Sequence, residues 1–130
     1  MSTIRLGRTN LVVNKNGFGA LPVQRVSTED AVALLRRAFE GGINYFDTAR
    51  SYTDSEEKLG LALSDVREKI IISTKAMTTT VEGFWKDLNT SLSLLKTDYV
   101  DILQFHNPAF VPKPGDGTGL YEAMLEAREK

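Results

Sequence analysis

The chain has 130 residues, 42% hydrophobic and 25% charged, with a net charge of −1. That is enough for one domain with its own core, without the basic surplus that a nucleic acid or an anionic membrane calls for. There is no cysteine, so a disulfide framework, a thiolate metal site and a thiol nucleophile are excluded. Arg5, Arg8 and Asn10 interrupt any signal-peptide core and no apolar run approaches the ~20 residues that span a bilayer, so a cytoplasmic protein is the expectation.

In chain order, residues 4–13 predict a hairpin with Asn10 at its turn, because asparagine tolerates positive φ. A first core strand is expected to end near Gly17-Phe18-Gly19-Ala20-Leu21. Ser27 or Thr28 then caps a helix. Glu29 and Asp30 suit its positive N-terminal end, and Ala31, Leu34, Leu35 and Ala38 share one face. Gly41 and Gly42 stop this helix by supplying a left-handed cap. The next strand is Gly42-Ile43-Asn44-Tyr45-Phe46. Ser55 caps a shorter helix with Glu56 and Glu57 in its first turn and Leu59 and Leu63 inside. The third strand is Ile70 to Thr74. Val81, Phe84, Trp85, Leu88, Leu92 and Leu95 form the clearest helical stripe, and Val100 to Phe105 is the fourth strand. A loop rich in Pro and Gly covers 107–119. A last helix begins near Leu120 and is still helical in character at Lys130.

The order is β-α-β-α-β-α-β-α after a hairpin. Short connections predict parallel strands joined by right-handed crossovers, in a sheet covered on both faces. The fold class is α/β, either an open sheet or part of a (β/α) barrel, which periodicity does not separate.

Four polar residues fall at or just beyond the ends of these strands: Asp47, Tyr52, Lys75 and His106. In parallel α/β proteins those ends share one face, where active sites are built. Tyr52 is a candidate general acid. A free phenol donates poorly near neutrality, and a neighbouring ammonium favours its ionised form; Lys75 is placed to supply that charge. Asp47 is placed to hold the Lys75 ammonium, and His106 to orient a substrate oxygen or share the proton relay. A donor and a cation converging where a carbonyl oxygen gains negative charge is the logic of an oxyanion site. Taken singly, each residue has a structural explanation in a loop or turn; it is their common position that points to chemistry.

Competing motifs are weaker. Gly17-Phe18-Gly19-Ala20 lacks the third glycine of a dinucleotide fingerprint, since position 22 is Pro, and reads better as a turn or a close backbone approach to a ligand. Gly115, Gly117 and Gly119 are followed by no Lys-Ser/Thr and make no P-loop. Ser51 and Ser73 lack a nucleophile elbow. One histidine and no cysteine argue against a zinc site. Phe84 and Trp85 belong to the core stripe.

Gly42-Ile43-Asn44-Tyr45-Phe46-Asp47-Thr48-Ala49-Arg50-Ser51-Tyr52, continued by Ser55-Glu56 and Leu59-Gly60, resembles the signature of the aldo-keto reductases. Ile70 to Lys75 resembles the strand ending in that family's lysine. Ser91-Leu92, Leu95, Asp98-Tyr99-Val100-Asp101 and Leu103-Gln104-Phe105-His106 resemble its histidine strand and the approach to it. Leu6-Gly7-Arg8-Thr9 and 17–21 fit the usual start, so the resemblance covers essentially the whole chain. It implies a (β/α)8 TIM barrel, of which residues 1–130 supply the hairpin and roughly the first four βα units, the N-terminal half of a single barrel domain. It implies Asp47, Tyr52, Lys75 and His106 as the catalytic tetrad, NADPH as cofactor, and reversible reduction of a small aldehyde or ketone with Tyr52 as proton donor. It also implies Gly19, Ala20 and Leu21 beside the nicotinamide and Asp47 at its ribose. One departure is Thr53, where the family commonly has Gly. Another is length: a complete barrel needs ~250 residues, so a missing C-terminal half or self-association is expected. The alternative is a non-catalytic regulatory or interaction module on a truncated reductase fold, which has no need of the intact tetrad.

Overall fold

A computed structural model describes residues 2–130. Strands β1 (Thr3–Arg5) and β2 (Val12–Asn14) form an antiparallel hairpin. Its turn uses Gly7 at φ +54° rather than Asn10, because only glycine enters that region without a Cβ penalty. The main sheet is parallel and four-stranded, in the order β3 (Phe18–Gly19), β4 (Tyr45–Asp47), β5 (Ile71–Ala76), β6 (Ile102–Phe105). Helices α1 (Thr28–Glu40), α2 (Ser55–Leu63), α3 (Val81–Leu95) and α4 (Leu120–Glu129) follow the strands in turn. Sequential order in a parallel sheet, with a helix after each strand, is the winding of a (β/α) barrel. The predicted order of elements and the parallel sheet are both present.

Side-chain parity divides each strand. In β5, Ile72 joins a core beneath α1 and α2, and Ala76 joins a second core beneath α3 and α4. Phe46 of β4 joins the first, and Phe105 of β6 packs against the second. Because alternate residues face opposite sides, Gly19, Asp47, Lys75 and Gln104 share the opposite face, the concave inside of the sheet. The register agrees: Gly19 pairs with Asp47, Asp47 with Ser73, and Lys75 with Gln104.

Several local expectations shift. Ser27, not Thr28, caps α1, accepting from the Asp30 amide at 3.1 Å. Ala31, Leu35 and Ala38 pack inward as predicted, but Leu34 is exposed and Val32 and Phe39 pack in its stead. At the end of α1 only Gly42, at φ +108°, takes a positive φ; Gly41 stays right-handed. Ser55 lies inside α2, and the N-cap position is Asp54 without a side-chain cap bond. Ser55 is committed elsewhere: its hydroxyl lies 2.8 Å from Thr48 Oγ1 and donates to the Ala20 carbonyl at 2.8 Å. Lys75 is a residue of β5 and not the first beyond it, because ladder pairing to Gln104 carries the strand to Ala76.

The hairpin lies at the opposite end of the sheet from the strand C-termini. The Asn14 amide donates to Asn44 Oδ1 at 2.7 Å, and Asn44 Nδ2 donates to the Val12 carbonyl at 3.1 Å, just before β4 begins. Arg67 closes the same end. Its guanidinium donates to the carbonyls of Ile70 and Tyr99 and to the Asp101 carboxylate at 2.8 Å, and lies 3.9 Å from the centre of the Tyr99 ring.

Candidate active site

Asp47 ends β4 on the concave face, and Lys75 reaches it from the neighbouring strand. The Lys75 ammonium donates to Asp47 Oδ2 at 2.8 Å and to the Thr48 carbonyl at 2.9 Å. The two side chains differ in exposure, 15% for Lys75 and 36% for Asp47. The cation is thus anchored from below while the carboxylate stays open to a further donor. Tyr52 stands on the loop after β4, with its ring centre 5.3 Å from the Lys75 Nζ. His106, one residue past β6, meets the Tyr52 ring edge to face with centroids 5.5 Å apart. All four residues singled out from the sequence therefore come together, in the contact order Asp47, Lys75, Tyr52, His106.

The loop bearing Tyr52 is pinned on both sides of the tyrosine. The Arg50 amide donates to the Lys75 carbonyl at 3.0 Å. The Arg50 guanidinium pairs with Glu56 Oε1 at 2.6 Å, and Glu56 is fully buried, its other oxygen accepting from Thr74 Oγ1 at 2.7 Å. A buried carboxylate is tolerated when paired and hydrogen-bonded; here Oε2 carries the hydrogen bond and Oε1 the ion pair, which does not have hydrogen-bond geometry. Sequence pattern assigned Glu56 to the polar first turn of α2; its burial beside the strand preceding Lys75 was not visible there. Ser51 Oγ lies 3.0 Å from His106 Nδ1. Thr53 takes φ +42°, and its hydroxyl donates to Gln24 Oε1 at 3.0 Å, which ties this loop to the turn after β3. Next to it, Asp54 is held below its ordinary carboxylate range, chiefly by the hydrogen bond from Lys58. The Lys58 ammonium is itself buried against the carbonyls of Val23 and Val26.

The predicted cofactor-side residues occupy the adjoining strand end. Gly19 faces open space: a Cβ there would meet no atom within 4 Å. Ala20 is fully buried in the core, and its amide donates to the Asp47 carbonyl at 2.8 Å. Leu21 is exposed. Gly19 and Leu21 are thus open beside a carboxylate that has one oxygen engaged by Lys75, while Ala20 is closed off.

A family model described as the aldo/keto reductase family matches residues 15–129. The chain belongs to the aldo/keto reductase family. It is 40% identical over 120 residues to the L-galactose dehydrogenase of Arabidopsis thaliana, an alignment covering 81% of this chain and 38% of that protein. Among solved structures, an aldo-keto reductase from Bacillus halodurans in its holo form superimposes with a TM-score of 0.86 at 29% identity, covering 99% of this chain and 47% of that one. A putative aldo-keto reductase from Pseudomonas aeruginosa gives the same TM-score at 26% identity, covering 98% and 54%. The fold is therefore part of the family's (β/α)8 barrel, and this chain spans 38% to 54% of the length of these relatives. The relatives that it matches are named as a dehydrogenase and as reductases, and the aldo-keto reductases as a family generally use NAD(P)H. Among the described residues, no helix is long and apolar enough to cross a membrane.

Proposed function

We propose that residues 1–130 form the N-terminal half of a single barrel domain in an NADPH-dependent reductase that converts a small aldehyde or ketone to an alcohol. The supporting observation is the continuous set of contacts from Asp47 through Lys75 and Tyr52 to His106 on the concave face. In this reading the reduced nicotinamide, when bound, supplies the hydride. Gly19 and Leu21 would lie beside the nicotinamide ring, Ala20 fixes that backbone through its bond to the Asp47 carbonyl, and the carboxylate oxygen of Asp47 that Lys75 leaves open would accept from the ribose. The carbonyl oxygen sits between Tyr52 and His106. Tyr52 delivers its phenolic proton to that oxygen as negative charge develops. Lys75, held by Asp47 and the Thr48 carbonyl, stabilises the phenolate left behind. His106 orients the carbonyl by donating a hydrogen bond. The sheet ends in two edge strands, β3 and β6, and unpaired edges are covered by further chain or by a partner. The remaining strands of the barrel, or a second copy, cover them.

The test is NADPH oxidation by the whole protein with a panel of aldehydes and ketones, for the wild type and Tyr52→Phe. The substitution removes one hydroxyl, so NADPH binding and the unfolding midpoint stay unchanged while kcat/KM falls by about 10²–10⁴-fold. A Tyr52→Phe protein that retains full activity would sink the assignment.

A further inference from the structure

Ser51 is exposed and has no place in the four-residue reading, yet its hydroxyl meets one nitrogen of the chain's only histidine at 3.0 Å. The contact joins the loop after β4 to the residue after β6, across 55 positions of sequence. A neutral imidazole has one N–H donor and one bare acceptor nitrogen, and the partner of the first nitrogen decides the state of the second. With Nδ1 engaged by Ser51, the nitrogen left for a substrate is Nε2. The ring is otherwise oriented by its edge-to-face contact with Tyr52 and by the bond from the His106 amide to the Ala76 carbonyl at 2.9 Å. Neither of these sets a tautomer.

We infer that Ser51 is a positioning residue for His106: its hydroxyl donates to Nδ1 and so holds the neutral ring with its proton on Nε2. The consequence for substrate rests on the reductase reading above. A carbonyl oxygen gaining negative charge is stabilised by Nε2–H and repelled by a bare Nε2 lone pair. If Ser51 instead accepted from Nδ1–H, the site would face the substrate with the wrong nitrogen state. Serine suits the role because its hydroxyl both donates and accepts, and it rotates to present its proton.

The experiment is nitrogen NMR on the whole protein carrying 15N-labelled histidine at neutral pH, in the wild type, Ser51→Ala and Ser51→Thr. The His106 signals are assigned by their loss in His106→Asn. The expected wild-type spectrum has a bare acceptor Nδ1 and a protonated Nε2. Ser51→Ala moves both signals towards averaged tautomer values and lowers kcat/KM by about 3- to 10-fold, the scale of one hydrogen bond's net contribution. Ser51→Thr, which keeps the hydroxyl, restores both. A protonated Nδ1 in the wild type overturns the inference, and so do His106 signals indifferent to Ser51→Ala. The nitrogen signals require no turnover. If Tyr52→Phe retains activity but the tautomer depends on Ser51, the reductase reading fails and the positioning role stands.

Discussion

The two ends of the parallel sheet each carry a cation bonded to a carboxylate at 2.8 Å, but they are built differently. At the strand N-termini, Arg67 donates to two backbone carbonyls, to the Thr97 hydroxyl and to Asp101, and it stacks on Tyr99. Asp101 in turn accepts from the Ile72 amide at 2.9 Å. Both side chains are nearly enclosed, at 9% and 13% exposure. At the strand C-termini, Lys75 has two hydrogen bonds, its partner Asp47 stays open and the next group along is a phenol. Four hydrogen bonds to one nearly enclosed guanidinium make a brace. Leaving a carboxylate and a phenol open makes a surface that can take part in chemistry.

This difference predicts opposite responses to loss of the cation. The largest effect belongs to Arg67→Met. It strands the buried Asp101 carboxylate and is expected to cost about 3–5 kcal/mol in urea unfolding, with kcat per folded molecule unchanged. A loss below about 1 kcal/mol would mean that the lower end is not a brace. Lys75→Met comes next. Asp47 can turn to solvent, so stability changes little, whereas removing one stabilising charge from an oxyanion-type site lowers kcat by about 10²–10³-fold. Steady-state kinetics beside a melting curve separate the two effects. If Lys75→Met instead unfolds the protein and spares kcat, the two ends have the same role.

The smallest effect tests the border between the regions. Asp54 is depressed chiefly by its hydrogen bond from Lys58. A carboxyl whose folded-state value lies below its unfolded one adds stability above the unfolded value, near pH 4, and loses it as pH falls through the folded value. Asp54→Asn should therefore lower neutral-pH stability slightly, leave stability below the folded value unchanged, and so flatten the acid limb of the stability curve. Acid titration of both proteins by circular dichroism checks this, and an unchanged acid limb would remove Asp54 from the account.

Much of the site was legible because polar residues stood out against apolar strand runs. Asp47, Lys75 and His106 follow from where those runs end, and Tyr52 from its place shortly after one. The residues that hold them were not legible. Glu56 reads as a first-turn helix residue, yet it is buried against Arg50 and Thr74. Ser51 has no motif of its own, and its partner is 55 residues away. Ser55 reads as a cap, but the approach of Thr48 and the Ala20 carbonyl takes its hydroxyl. Leu34 fits the helical stripe of α1 but is exposed, and Val32 and Phe39 pack with Ala31, Leu35 and Ala38 instead.

By itself, the sequence determined the alternation of strands and helices, the α/β class and the four polar groups at or near the strand ends. These depend on local period and composition, which the chain carries residue by residue. Only the tertiary structure decided that Lys75 faces inward from within β5, that Asp47 keeps its outer side open, and that Ser51 meets His106. Those outcomes depend on strand order and register, which bring together residues that no local pattern relates.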